Sequence, residues 1–161
     1  MSTVIDLDPA NDRELVIGRI LDAPREALYR CWTEPKLITQ WFTPPPWKTV
    51  EALMDVRPGG SSLIVMEGPD GTRMPNPGVF LDVAPNERLV FTDAFTQAWV
   101  PAGQAFMVAT LTFEDAGEGK TRYVARIAHW TAEAKAQHEA MGFHAGWGVS
   151  TDQLEALAKT L

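Results

Sequence analysis

Alternating apolar and polar positions, interrupted by glycine- and proline-rich turns, predict a chain made mostly of β-strands. Residues 13–21 are rich in β-branched side chains and end before Asp22 and Pro24, so we expect a first strand there. Turn signals then separate further strands, which we expect at residues 49–56, 61–67, 78–84, 88–95, 104–114 and 121–129. Their connections are too short for parallel crossovers. The sequence therefore predicts a seven-stranded antiparallel sheet.

Helical periodicity appears after the first strand and at the end of the chain. Two short helices are predicted from Pro24 and from Pro35, and the run of three prolines at 44–46 predicts a stiff extended connector after them. Thr131 is a suitable N-cap for a helix over residues 132–140. The last helix carries one apolar stripe, formed by Phe143, Trp147, Leu154, Leu157, Ala158 and Leu161.

Glycines reduce the side-chain bulk of the first half of the last helix. Gly142, Gly146 and Gly148 lie within a few residues of one another, and each internal glycine costs about 1 kcal/mol relative to alanine. We expect this half either to approach the sheet closely or to leave room for a ligand.

Length and composition fit one globular domain. The chain has 161 residues, a hydrophobic fraction of 45% and a single cysteine. Residues 1–11 are polar and without period, so we expect a loose tail followed by one domain at 12–161. The net charge of −7, with scattered basic residues, argues against nucleic acid or a membrane surface as a partner. Without a signal segment, a cytoplasmic location is expected.

The order strand, two helices, six strands and long helix, together with several local strings, resembles a known family. The strings are Asp22-Ala-Pro-Arg, Trp41-Phe42 before the prolines, PNERLVFT at 85–92, and the run from His138 to Leu154. They resemble the family named after the C-terminal domain of the activator of Hsp90 ATPase, within the Bet v 1 and START-like superfamily. The resemblance implies an α+β helix-grip fold, in which a sheet wraps around the last helix and leaves a cavity for apolar molecules.

Aromatic side chains are the first candidates for lining such a cavity, since ligand pockets are mostly apolar. Simple core packing is the alternative interpretation. The candidates are Trp32, Trp41, Phe42, Phe91, Phe95, Phe106, Phe143 and Trp147.

Three polar side chains are candidates for ligand contact or acid–base work. Alternation places Asp93 on the face of Phe91, and it places Tyr123 and His129 together on another strand. If these faces are internal, the groups are desolvated and can act on a ligand. The alternative is that Asp93 and His129 lie at the wet rim of the sheet.

Other reactive residues give no catalytic or metal site. His138 and His144 are six positions apart and fall on different sides of a helix, so no zinc site is expected. Cys31 has no neighbouring base and is expected to be a small buried hydrophobic residue. No cofactor motif is present in the sequence.

Three functions follow from this sequence. The first is a non-catalytic protein that binds a small apolar or amphipathic ligand, with Arg19, Arg57 or Arg73 available for an acidic group. The second is a cyclase- or dehydratase-like enzyme using Asp93, Tyr123 or His129. The third is a module that contacts a chaperone, and a homodimer through exposed sheet edges is also left open.

Overall fold

The computed structural model describes residues 2–161, which form an α+β fold. Its strands are β1 (Thr3–Ile5), β2 (Glu14–Leu21), β3 (Lys48–Met54), β4 (Ser61–Glu67), β5 (Arg73–Ala84), β6 (Arg88–Thr92), β7 (Phe95–Gln97), β8 (Val100–Pro101), β9 (Met107–Gly117) and β10 (Lys120–His129). Its helices are α1 (Arg25–Thr33), α2 (Pro35–Ile38), α3 (Ala132–Ala140) and α4 (Phe143–Ala158).

Eight of the strands in residues 2–161 form one antiparallel sheet in the order β1-β2-β10-β9-β6-β5-β4-β3. Strands β2 and β3 are six positions apart in this order, which would be about 29 Å in a flat sheet. A helix with its side chains is only about 10–12 Å wide. Helix α4 nevertheless contacts both β2 and the segment that precedes β3, so the sheet curls around it.

Hydrogen bonds fix α4 on both of its flanks. On the β2 side, the Asp22 amide donates to Glu155 Oε2 at 2.7 Å. On the other side, Gln153 Nε2 donates to the carbonyl oxygens of Trp41 at 2.8 Å and Thr43 at 3.2 Å. The helix has 16 residues, and no helix in the described part of the chain combines the length and apolarity that a membrane crossing needs.

The N-terminal segment differs from the loose tail expected at residues 1–11. Strand β1 pairs with β2 and adds an eighth strand to the predicted seven. Gly18 explains the close approach, because a Cβ there would lie 2.7 Å from Leu7 Cδ1 and 3.3 Å from Ile5 Cβ. The paired residues of β1 and β2 are 13 or more positions apart in the sequence. The short polar segment alone therefore does not predict β1.

Two prolines lie inside β5, where the sequence predicts a strand only from residue 78. Pro75 pairs with Val65 and Pro77 with Leu63, both on β4. Strand β6 pairs with β5 only from Val79 onward, so this first part of β5 has a free side that needs no N–H donor. An edge position thus tolerates residues that read as turn signals in the sequence.

Other boundaries shift by a few residues. Strand β6 ends at Thr92 rather than 95, and the chain turns into a separate two-stranded hairpin of β7 and β8. Helix α2 ends at Ile38, and α4 ends at Ala158 rather than at the last residue.

The glycines of α4 have different surroundings. Gly142 has φ +94° and is the N-cap, a left-handed conformation that favours glycine. A Cβ at Gly146 would meet no described atom within 4 Å. A Cβ at Gly148 would lie 3.3 Å from Arg19 Nη2. Close approach therefore occurs at Gly148, whereas Gly146 borders open space.

These differences predict opposite effects for two alanine substitutions. Gly146→Ala should stabilise the protein by about 1 kcal/mol, because alanine favours the helix and meets no clash. Gly142→Ala should destabilise it by about 1–2 kcal/mol, because its backbone is left-handed. Thermal unfolding would show a Tm rise of about 2–4 °C for the first and a fall for the second. Equal losses for both variants would contradict the open space beside Gly146.

Candidate functional site

An aromatic cluster around Trp32 lies between α4, the α1–α2 region and the sheet. The Trp32 ring centroid lies 4.8 Å from that of Trp41, 5.8 Å from Phe42, 5.7 Å from Phe91 and 6.4 Å from Trp147. Trp32 and Trp41 are buried, whereas the other three are half-buried. Five of the predicted lining residues therefore come together, from α1, the turn after α2, β6 and α4. We call these five side chains the aromatic cluster.

The buried tryptophans have hydrogen-bond partners. Trp41 Nε1 donates to the Cys31 carbonyl at 2.9 Å, and Trp32 Nε1 donates to Tyr123 Oη at 3.2 Å. Tyr123 is 1% exposed, and burial raises the pKa of its hydroxyl group. Cys31 is fully buried, as predicted, and burial raises the pKa of its thiol to about 11.

The interior is divided into two groups of buried apolar residues. The smaller group consists of Leu15, Ala109, Ile127 and Phe143, and the larger one includes Trp32 and Trp41. Phe91 and Trp147 pack against both groups, and both are half-buried. Solvent thus reaches the boundary between the two groups on the side of the sheet that α4 covers. We call this boundary, formed by Phe91 and Trp147, the seam.

A groove opens at the rim of the same inner face. Its volume is about 340 Å³, and its walls are Thr43, Pro44, Pro45, Trp47, Met66 and Met74. Met66 follows Ile64 by two positions on β4, and Ile64 belongs to the interior, so alternation puts both on the inner face. Thr43 directly follows Phe42 of the aromatic cluster. This rim groove therefore adjoins the cluster.

A histidine pair closes the other end of the interior. His129 is 4% exposed, and its Nδ1 lies 2.9 Å from the Arg13 carbonyl, which can only accept. With His129 neutral, its Nε2 then accepts from His138 Nδ1 at 2.9 Å. The Phe106 ring lies 4.8 Å from that of His138, and Phe143 lies 5.2 Å away. Burial and the neighbouring His129 lower the pKa of His138 to about 4.

Asp93 and Phe95 do not join the aromatic cluster. Strand β6 ends before them, so the alternation predicted for residues 88–95 does not continue. Asp93 Oδ1 accepts hydrogen bonds from the amides of Phe106 at 2.9 Å and Met107 at 3.1 Å, which shapes the start of β9. Phe95 lies on β7, and its ring is 5.6 Å from Trp99.

The three candidate acid–base groups lie apart and have different hydrogen-bond partners. Tyr123 and His129 are six residues apart on β10, a separation of about 20 Å along a strand. His129 is engaged with His138, and Tyr123 with Trp32. Asp93 uses one oxygen to hold two backbone amides. This arrangement does not bring Tyr123 and His129 to one small substrate.

The sequence patterns do not predict the contact of His138 with His129, because it depends on how α3 docks against β10. The inward position of Arg19 does have a signal in the sequence, since alternation places it on the face of Leu15, Ile17 and Leu21.

An antiparallel sheet curled around a C-terminal helix, with an apolar interior between them, defines the helix-grip class. The profile of the family described as "Activator of Hsp90 ATPase homolog 1-like protein" matches residues 22–159. The chain belongs to this family, which confirms the resemblance seen in its motifs.

Solved structures of other proteins have the same fold. A Nitrosomonas europaea protein is 38% identical, with 96% of this chain and 97% of that one covered and a TM-score of 0.90. Proteins from Mycobacterium smegmatis (24% identity, 96% of each chain, TM-score 0.78) and Rhodobacter sphaeroides (20%, 100% and 99%, TM-score 0.83) share the fold. A search of curated proteins finds no significant match.

The histidine pair predicts a loss of stability in acid. Because the pKa of His138 in the folded protein lies below its ordinary value of 6.5, the unfolded chain binds more protons between about pH 6.5 and pH 4. Its contribution is complete above pH 6.5 and is lost as the pH falls toward 4. Because solvent screens this half-buried ring, we expect the free energy of unfolding to fall by only about 1 kcal/mol over this pH range.

Comparing the Tm at pH 7.5 and pH 5 tests this. His138→Asn should shrink the pH-dependent fall of the wild type by about 2–4 °C. His144→Gln is the control, since His144 is exposed and contacts Glu139 at 3.0 Å. A wild-type pH dependence in H138N would contradict the role of the pair.

Proposed function

We propose that this protein binds a small apolar or amphipathic molecule between α4 and the inner face of the sheet, in contact with the aromatic cluster. The observation that carries the proposal is the seam, where Phe91 and Trp147 are half-buried although they lie between two groups of core residues. Binding of an apolar ligand there would remove aromatic surface from water, at about 25 cal/mol per Å².

The position of Phe91 makes its partial exposure informative. Strand β6 has a partner on each side, β5 and β9, so solvent cannot reach Phe91 from a sheet edge. Its ring packs toward Trp32, on the side of α4. The exposed surface of Phe91 therefore opens toward the space between sheet and helix. Gly146 adds room on α4 next to Trp147 of the seam, because a Cβ there would meet no described atom within 4 Å.

The rim groove supports a route by which a ligand would enter from solvent toward the aromatic cluster. Its volume of about 340 Å³ falls in the range of small-molecule sites, and its walls are almost entirely apolar. Methionine side chains at Met66 and Met74 adapt readily to different ligand shapes.

The separation of Tyr123 and His129 gives no support to the enzymatic alternative, which needs at least two groups within reach of one substrate. A chaperone partner, a homodimer and a cytoplasmic location stay predictions from the sequence.

Filling the space beside Gly146 tests the proposal. Parinaric acid methyl ester, an uncharged fluorescent polyene, should bind the wild type saturably. Gly146→Phe should weaken this binding at least tenfold, because the new ring occupies the open space next to Trp147 of the seam. Val149→Phe is the matched control, since Val149 is 43% exposed on the outer side of the same helix.

The two variants separate specific from surface binding. Equal weakening by V149F, or no saturable binding of either the ester or the free parinaric acid to the wild type, would contradict the proposal. Circular dichroism would establish that both variants are folded, and Gly146→Leu supplies a smaller blocking residue if G146F is not. Native mass spectrometry of protein purified from its own host would identify the class of any retained molecule.

A further inference from the structure

Arg19 differs from the other two arginines considered for an acidic ligand group. Arg57 and Arg73 have side chains that are 67% and 61% exposed, and they pair with Asp55 and Glu67 at the surface. The Arg19 side chain is only 12% exposed. The fold therefore selects Arg19 as the arginine at the interior.

The guanidinium group of Arg19 has hydrogen-bond partners at Nη1 only. We call its other side, formed by Nε and Nη2, the free edge. Nη1 donates to Ser2 Oγ at 2.8 Å and to Asp152 Oδ1 at 2.9 Å. Nε is fully buried and has no acceptor among residues 2–161. The hydrogen bonds of the described chain give Nη2 no acceptor either, and it lies against α4 at Gly148, where a Cβ would be 3.3 Å away.

The free edge has the geometry that a carboxylate requires. In a guanidinium group, Nε–H and one N–H of Nη2 point in parallel along the same edge. Such an edge matches the two oxygens of a carboxylate in a bidentate pair. A buried donor without an acceptor is unfavourable, so an anionic group at this edge gains more than it would in water.

Tyr123 offers a further donor on the neighbouring strand. Tyr123 on β10 is the cross-strand partner of Arg19 on β2. Tyr123 Oη accepts from Trp32 Nε1, and the hydroxyl's own proton has no acceptor within the described chain. The charge of Arg19 also acts on Tyr123, opposing the effect of burial on its pKa.

The two residues adjoin the aromatic cluster. Trp32 contacts Tyr123 through its indole nitrogen and Phe91 and Trp147 through its ring. Trp147 directly precedes Gly148 on α4. A molecule with its polar end at Arg19 would therefore extend its apolar part toward the seam.

We infer that the ligand is an amphipathic carboxylic acid, whose carboxylate is bound by Nε and Nη2 of Arg19 with the Tyr123 hydroxyl group as a third donor. This inference rests on the proposed function and narrows it to one chemical class.

Parinaric acid and its methyl ester, which share the same polyene chain, test the inference. Wild-type protein should bind the acid at least tenfold more tightly than the ester. Arg19→Met should abolish this preference and leave the affinity for the ester within about twofold of wild type. Arg19→Lys keeps the charge but lacks the parallel donors, so the preference should fall to an intermediate value. Tyr123→Phe should reduce it by a smaller factor.

Arg57→Met is the control and should retain the wild-type preference, because Arg57 lies at the surface. Equal affinity of wild type for acid and ester would overturn the inference while leaving the proposed function intact. No saturable binding of either probe would instead contradict the proposed function itself. If R19M does not fold by circular dichroism, R19K decides, and an unchanged preference in R19K would also overturn the inference.

Discussion

The attachment of α4 to both flanks of the curled sheet is the constraint on which the interior depends. Asp22 and Glu155 fix the helix on the β2 side, and Gln153 reaches the carbonyl oxygens of Trp41 and Thr43 on the other. These are polar contacts with defined lengths and directions, so they set the height of the helix above the sheet. With both flanks held, the side chains between them include the half-buried rings of Phe91 and Trp147.

Trp32 contacts the other four rings of the aromatic cluster, and the angles of these contacts differ. Its ring meets Trp41 at 72° and Phe42 at 85°, while it meets Phe91 at 39° and Trp147 at 31°. The first two contacts are edge-on and lie on the α1–α2 side, where Trp41 is buried and Phe42 is half-buried. The last two are tilted faces, and they belong to half-buried rings. The seam therefore lies where Trp32 meets the tilted rings of Phe91 and Trp147.

Local chemistry explains which parts of this picture the sequence predicts. Strand β4 agrees at both ends with its predicted range of 61–67, because turn residues bound it and apolar positions fill it. The helix N-cap at Thr131 was also predictable, and its hydroxyl group accepts from the Ala134 amide. The pairing of His129 with His138 depends on how α3 docks. The free edge of Arg19 depends on register with β10 and on the flank of α4. Such contacts join residues far apart in the chain, and no local pattern specifies them.

Net charge and local charge lead to different conclusions about acidic partners. The chain carries −7 overall, which argues against a large polyanion such as nucleic acid, because that partner needs many surface cations at once. A single carboxylate inside the fold meets different conditions. Surface charges farther away than about 8 Å are largely screened at physiological salt, whereas a buried guanidinium group acts at short range with little solvent between. Asp152, the carboxylate that pairs with Arg19, is 66% exposed and lies on the outer side, so water screens its repulsion of a second anion. An acidic surface is therefore compatible with an interior that selects an acid.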